Sequence, residues 1–217
     1  MKTWGIVAIV VAAAAAGAAF HAYQGARDGG RGLSPQGGQT PVGQTPALVE
    51  TLPQFQLADR DGQLRSLAAW PDKSLIVNFW ATWCAPCRRE IPLLQQLQRE
   101  HAAEGFQVVG IAVDFRDKVL AYASDMQIDY PLLIGEQEAL DAAAAFGVAT
   151  VGLPFTVFSD ARGRIVTAHL GELTAAEADL ILDAVRRVNA GDAAPAEVRA
   201  ALDAALAALP QPAAEGE

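Results

Sequence analysis

Cysteine and histidine are scarce in this chain of 217 residues, which contains two cysteines and three histidines. A structural zinc site takes four ligands, and His21, His101 and His169 offer no convincing pair to complete one with the cysteines. We therefore expect no resident metal ion and no cofactor. A copper-carrying cysteine pair stays open because thiolates suit Cu(I), although no Met-x-x-Met or Cys/His cluster supports it.

Positive charge is also in short supply, with 16 Lys and Arg against 25 Asp and Glu and a net charge of -9. Such a chain repels a phosphate backbone, so nucleic acid is not an expected partner. Hydrophobic residues make up 52% of the sequence, which is enough for a core that needs no disulfide staples. We expect one compact domain with additional segments at its ends.

Charged residues are missing between Trp4 and Phe20, an unbroken run of apolar or small residues near the N-terminus. As a helix the run would be about 25 Å long, which is marginal for the roughly 30 Å of a bilayer core. We assign residues 1–23 to a membrane anchor, with a removed signal peptide as the alternative. Lys2 favours a cytoplasmic N-terminus, so the rest of the chain should be exported. No cysteine lies near this run to carry the lipid of a bacterial lipoprotein.

Large apolar side chains are almost absent from residues 24–47, which contain Gly-Gly, Ser-Pro and two Gln-Thr-Pro repeats. This composition predicts a flexible linker. The globular pattern occupies residues 48–190, and residues 191–217 are assigned to an Ala-rich C-terminal helix and tail. The apolar stripe from Val198 to Leu209 is expected to pack on its own domain, and docking on a partner is the alternative.

The pattern within residues 48–190 predicts an α/β domain. Two short strands around Asp61-Gly62 predict an N-terminal hairpin. Two buried strands, at 74–79 and 106–113, flank an amphipathic helix from about 86 to 104, so they should be parallel. Further helices are predicted at 117–126, at 136–146 and after the capping box of Thr174, and further strands at 132–134, 155–159 and 165–170.

The two cysteines stand at the start of the predicted helix, in Trp83-Cys84-Ala85-Pro86-Cys87. Disulfide exchange needs one thiolate that attacks and a second thiol that resolves the mixed disulfide, and two intervening residues allow that reach. A helix N-terminus favours the thiolate of Cys84, which we predict to be the nucleophile. Cys87 would be the less exposed resolving thiol, and Pro86 suits the first helical turn. A purely structural disulfide would close too small a loop to stabilise the fold much.

The segment from Asn78 to Pro92, Asn-Phe-Trp-Ala-Thr-Trp-Cys-Ala-Pro-Cys-Arg-Arg-Glu-Ile-Pro, resembles the active-site signature of TlpA/ResA-type thioredoxin-like proteins. The resemblance extends from about Leu52 to Val188. It implies a thioredoxin-like fold, in which a central mixed sheet is flanked by helices, with an N-terminal β-hairpin extension and an N-terminal transmembrane helix. It also implies a single-pass protein of the bacterial inner membrane whose catalytic domain lies in the periplasm.

The resemblance assigns supporting roles to residues around the cysteines, Trp83 and Pro86 among them. Pro154 matches a cis-proline that faces the cysteines, and the Leu153 backbone would then be free to pair with an extended substrate. Asn78 occupies the place where thioredoxin has a buried aspartate that moves protons, and an amide cannot titrate. Glu90 is the candidate replacement if it turns inward, whereas the alternative is a solvated helix residue.

The resemblance implies a protein-disulfide oxidoreductase. We predict a reductase of the cytochrome c maturation or copper-site assembly type, which acts on protein disulfides and is recharged by a membrane thiol-electron donor. One alternative is a disulfide-introducing oxidase, and another is a tethered copper-delivery module. A peroxiredoxin-like peroxidase is disfavoured because Ala81 stands where such enzymes carry Thr or Ser, three residues before the cysteine.

Overall fold

The computed structural model describes residues 48–148 and 152–209. The predicted anchor at 1–23, the predicted linker at 24–47 and the end of the tail from 210 onwards lie outside the described residues. Among the helices of the described ranges, none is both long and apolar enough to cross a bilayer.

The described residues form an α/β domain whose elements alternate much as the sequence predicts. The strands are β1 Leu57–Asp59, β2 Leu64–Arg65, β3 Ser74–Trp80, β4 Phe106–Val113, β5 Leu132–Gly135, β6 Phe155–Ser159 and β7 Ile165–Leu170. The α-helices are α1 Ala85–His101, α2 Arg116–Asp125, α3 Gln137–Ala145, α4 Ala175–Ala190 and α5 Pro195–Ala207. The predicted continuation of α1 to residue 104 is a separate 3-10 turn, Ala102–Glu104.

The strands form one mixed sheet in the order β2-β1-β5-β4-β3-β6-β7. The prediction that β3 and β4 are parallel is confirmed, with Ser74 opposite Phe106. β5 is parallel to β4, whereas β6 is antiparallel to β3 and β7 is antiparallel to β6. β1 is antiparallel to β2 and also to β5, so this pair extends the main sheet.

β3 is buried along its whole length because helices cover both faces of the sheet. Side chains alternate between the faces, so Ile76 and Trp80 join the apolar cluster beneath α1, α2, α4 and α5. Leu75, Val77 and Phe79 join a second cluster with α3. The sheet therefore has two cores, and α1 with its cysteines lies over the first.

α4 begins and ends where local sequence signals place its boundaries. The Thr174 hydroxyl accepts the Glu177 amide, and the Glu177 carboxylate accepts the Thr174 amide, which confirms the predicted capping box. The helix ends at Gly191, whose φ of 84° is in the left-handed region that glycine adopts without strain.

α5 packs against α4 and β7 of its own domain. Val198 and Leu202 are buried in the first cluster. The Arg199 guanidinium donates hydrogen bonds of 3.0 Å to the carbonyls of Ile165 and Val166 on β7. The expectation that the stripe packs on its own domain is therefore confirmed, and its docking on a partner is wrong for these residues.

Candidate active site

Cys84 and Cys87 are joined by a disulfide at the N-terminus of α1. Cys84 is the N-cap residue and its sulfur accepts the Cys87 amide at 3.3 Å, while Pro86 lies in the first turn. Cys87 is fully buried and Cys84 is 5% exposed, so the predicted order of accessibility is confirmed. Trp83, the residue before Cys84, is 67% exposed. The pair is therefore nearly enclosed, with Cys84 the slightly more accessible residue at a helix end that stabilises negative charge.

Asp114, which the sequence analysis did not single out, fixes the loop that carries Cys84. Its carboxylate accepts hydrogen bonds from the hydroxyl and the amide of Thr82 and from the Phe115 amide. The residue directly follows β4, and the carboxyl ends of parallel strands share one edge of the sheet. The position of Asp114 directly after a buried strand is the feature of the sequence that could have identified it. The Thr82 hydroxyl is thereby committed to Asp114.

Glu90 points into the domain and is 1% exposed. Its Oε1 accepts a 2.7 Å hydrogen bond from the Asn78 amide nitrogen, and its Oε2 accepts a 3.0 Å bond from the Leu173 backbone. The Asn78 nitrogen also donates to the Thr156 hydroxyl at 3.0 Å. The inward orientation is confirmed, and the solvated alternative is wrong. Thr156 was missed by the sequence analysis because the contact joins distant strands.

Burial raises the pKa of Glu90 from 4.5 to about 7. The bonds from Leu173 and Asn78 favour the ionised form and lower this pKa, whereas the negative charge of Glu172 raises it further. Residues three apart on a helix are neighbours on its surface, and both Cys87 and Glu90 face inward. A carboxyl that titrates near neutrality therefore lies one helical turn from the buried sulfur.

The remaining polar side chains beneath α1 are tightly enclosed. Within residues 48–148 and 152–209, Asn78 Oδ1, Trp80 Nε1 and the Tyr130 hydroxyl are buried without a hydrogen-bond partner. A Cβ at Gly110 would lie 3.0 Å from the Tyr130 ring and 3.2 Å from Trp80 Nε1. Glycine at this position lets both rings pack over β4 without displacing them or the Leu132 side chain, which would be 2.7 Å from that Cβ. Burial and the charge of Glu90 raise the pKa of Tyr130, so that phenol stays protonated.

The Leu153–Pro154 peptide bond is cis, as the resemblance implied. Pro154 directly precedes β6, which is antiparallel to β3 with Phe155 opposite Phe79. This pairing places the start of β6 at the end of β3, the edge from which the chain continues to Cys84. The Pro154 carbonyl accepts the Gly171 amide at 2.9 Å, which ties the loop to the end of β7.

The donor set for a metal ion is limited in the part of the chain that the structure describes. There, no group of three or more His, Cys, Asp or Glu side chains is arranged to hold a metal ion. The two sulfurs, the softest ligands available, are bonded to each other. The arrangement is suited to exchanging a disulfide.

Comparison with known proteins agrees with this geometry. Residues 49–168 match the AhpC/TSA family. The chain is 33% identical over 137 residues to the thioredoxin-like protein YneN of Bacillus subtilis, which covers 60% of this chain and 76% of that protein. It is 28% identical over 141 residues to the thiol-disulfide oxidoreductase ResA of Geobacillus thermodenitrificans, covering 64% and 79%.

Among solved structures, a thiol:disulfide interchange protein of the thioredoxin family from Chlorobium tepidum TLS superposes with a TM-score of 0.55. The two chains are 34% identical, and the match covers 62% of this chain and 94% of that one. The fold, the Cys-x-x-Cys disulfide and these relatives agree. The chain belongs to the AhpC/TSA family, as a thioredoxin-like thiol-disulfide oxidoreductase.

Proposed function

We propose that the chain is an extracytoplasmic reductase of protein disulfides. The Cys84 thiolate attacks a client disulfide, forms a mixed disulfide and releases one client thiolate. Cys87 then attacks the Cys84 sulfur, releases the second client thiol and closes the Cys84–Cys87 disulfide. Two electrons pass to the client, and a membrane thiol-electron donor returns two electrons to the enzyme. The observation that carries the proposal is the pairing of the slightly exposed Cys84 with a fully buried Cys87 one helical turn from Glu90.

Glu90 supplies the proton transfer that these exchange steps need. Cys87 attacks as a thiolate, and a neighbouring carboxylate with a pKa near 7 accepts its proton at neutral pH. The proton returns when the donor reduces the pair again. Asn78 positions the carboxylate through its 2.7 Å bond, and Thr156 holds Asn78 in turn. Glu90 thus takes the role that the aspartate has in thioredoxin.

The cis-proline loop provides the place where the client chain lies. With the Pro154 carbonyl bonded to Gly171, the Leu153 backbone is proposed to pair with an extended client segment. Backbone pairing of this kind is independent of client sequence. It lets Cys84 approach disulfides in many clients, and it leaves the side chains of the client to determine selectivity.

The location and the client class are proposals that rest on the sequence. Residues 1–23 would anchor the chain in the bacterial inner membrane, and residues 24–47 would tether a periplasmic domain at 48–190 that is followed by the C-terminal segment 191–217. The clients would be apocytochrome c or copper-site cysteines of respiratory proteins. An exported reductant works in an oxidising compartment, which is why the membrane donor is part of the proposal.

A peroxidase role is disfavoured by the residues around Cys84. Ala81 stands three residues before Cys84, and the nearby Thr82 hydroxyl donates to Asp114. A peroxide at Cys84 would therefore lack the hydroxyl that the peroxiredoxin pattern supplies.

Trapping the mixed disulfide tests the proposed roles. The reduced Cys87→Ser variant of the full chain should accumulate a covalent adduct with a disulfide-containing peptide, visible by mass spectrometry. The matched Cys84→Ser variant should accumulate none, because Cys87 is buried. Equal adducts from the two variants would overturn the assignment of nucleophile and resolving thiol.

A further inference from the structure

The exposed apolar side chains of the described residues are concentrated beside the disulfide. The large hydrophobic side chains that are about half exposed or more are Leu64, Trp83, Phe115, Leu140 and Leu170. Trp83, Phe115 and Leu140 line two adjoining depressions of about 490 and 360 Å³. Scattered exposed apolar residues are ordinary, but a group of this kind next to a reactive site indicates a binding surface. We call these two depressions together the Trp83 groove.

Three separate segments build the Trp83 groove. Trp83 comes from the loop before α1, and Phe115 comes from the junction of β4 and α2. Leu140 lies on α3, whose alanines Ala139 and Ala142 face the core, so the leucine is left 49% exposed. Leu153 of the cis-proline loop completes the lining. A client segment paired with the Leu153 backbone would therefore direct alternate side chains into this groove.

The charged side chains that line the groove are acidic. Among the described residues that line it, the charged ones are Asp114, Glu136 and Asp141, with no Lys or Arg. Asp114 is occupied by Thr82, whereas Glu136 and Asp141 are exposed, and Asp141 accepts a hydrogen bond from the neutral Gln137 amide. A cation borders the groove, because the Lys118 ammonium lies 4.9 Å from the centroid of the Phe115 ring. Arg89, which does not line the groove, pairs with Glu172.

We propose that the Trp83 groove selects client segments with an apolar side chain and a cation close to the reactive cysteine. The apolar side chain lies between Trp83 and Leu140, and the Lys or Arg pairs with Glu136 and Asp141. The occupant is thus an extended, basic segment of a client protein. This inference rests on the proposed function, because it assigns the client class of the same site.

A set of matched disulfide peptides tests the inference with the reduced full-length chain. The peptides share one apolar residue and differ only in carrying Lys, Gln or Glu two positions from the cysteine. We expect kcat/KM for the Lys peptide to exceed that for the Glu peptide by about tenfold, because two exposed ion pairs together contribute about that factor. The preference should shrink in 0.5 M NaCl, where the Debye length falls to roughly 4 Å.

Variants locate the effect on the groove. In Glu136→Gln/Asp141→Asn the ratio between the Lys and Glu peptides should fall to within twofold. The control Glu138→Gln changes another exposed glutamate of α3 that does not line the groove, and it should keep the full ratio. Leu140→Ser should raise KM for all three peptides, whereas Leu64→Ser, on the edge strand β2 and outside the groove lining, should not.

A neutral small disulfide separates the failure of this inference from failure of the proposed function. Hydroxyethyl disulfide has neither charge nor a peptide segment, so its reduction reports only the dithiol chemistry. If the wild-type chain reduces it but reduces the three peptides at equal rates, the client selection is overturned alone. If the reduced chain fails on hydroxyethyl disulfide and on every peptide, the reductase function itself is overturned.

Discussion

The two faces of β3 differ in what they bury. On the face towards α3, Phe79 stacks on Phe155 with ring centroids 4.4 Å apart and meets the Phe146 ring edge-on at 5.6 Å. On the face towards α1, Asn78 binds the buried carboxyl of Glu90. Both faces gain stability from apolar packing, but only the face towards α1 also carries a carboxyl that costs free energy to bury. The comparison indicates that one side of the strand serves packing alone, whereas the other side also supports chemistry.

The largest effect on stability should come from the apolar face. Phe79→Ala removes a ring that is packed against two others and should lower the free energy of unfolding by about 3 to 5 kcal/mol. Urea denaturation of the oxidised protein measures this loss. The pH dependence of turnover should not change, since Phe79 faces away from Glu90. A shifted pH profile in this variant would contradict the separation of the two faces.

A substitution on the α1 face should have the opposite effect and raise the free energy of unfolding. Glu90 has a higher pKa folded than unfolded, so its stabilising contribution is complete below about pH 4.5 and is lost as the pH rises through about 7. A rise from 4.5 to about 7 corresponds to about 3 kcal/mol. Glu90→Gln, which cannot ionise, should therefore stabilise the oxidised chain by up to that amount at pH 8.

The stabilisation by Glu90→Gln should disappear towards pH 4.5, as measured by urea denaturation across the pH range. Glu138→Gln is the matched control because its carboxylate is exposed, and it should give no such trend. A Glu90→Gln variant that is less stable than wild type at pH 8 would show that the carboxylate is adequately compensated in the folded state.

The same substitution should slow the chemistry. Without a proton acceptor beside Cys87, Glu90→Gln should resolve a preformed mixed disulfide about 100-fold more slowly at pH 7, the lower end of the range for general-base catalysis. Rapid-quench measurement of the resolving step checks this. The wild-type rate should rise through an inflection near pH 7, and the variant should lack it. Retention of that inflection would assign it to another group.

Much of this arrangement could be predicted because its signals are local. The buried run of β3, the proline after Cys84 and the capping box at Thr174 each depend on a few neighbouring residues. The burial of Glu90 also had a signal, since Cys87, Glu90, Leu94 and Leu97 recur on one side of α1. Thr156 could not be assigned, because its contact depends on strand register and joins residues 78 positions apart. The many alanines of α3 gave too weak a hydrophobic pattern to show that Leu140 faces outward.

The smallest expected effect concerns the support behind Asn78. Thr156→Val removes the hydroxyl that accepts the Asn78 amide, and it should cost about 1 to 2 kcal/mol in stability. It should also move the inflection in the pH profile, because Asn78 is then free to shift away from Glu90. Thr167→Val, a buried threonine of β7 outside this network, is the control for stability and should leave the inflection in place. Identical pH profiles for both variants would show that Thr156 contributes to packing and not to the position of Glu90.

The reduction potential of the Cys84–Cys87 pair tests the proposed direction of electron flow most directly. The full-length chain would be equilibrated at pH 7 with glutathione and dithiothreitol buffers, and the disulfide fraction measured after acid quenching. The account predicts a potential near or below about -250 mV, close to that of thioredoxin. A value near about -120 mV, as in the strongly oxidising DsbA, would make the chain a donor of disulfides and contradict the reductase function.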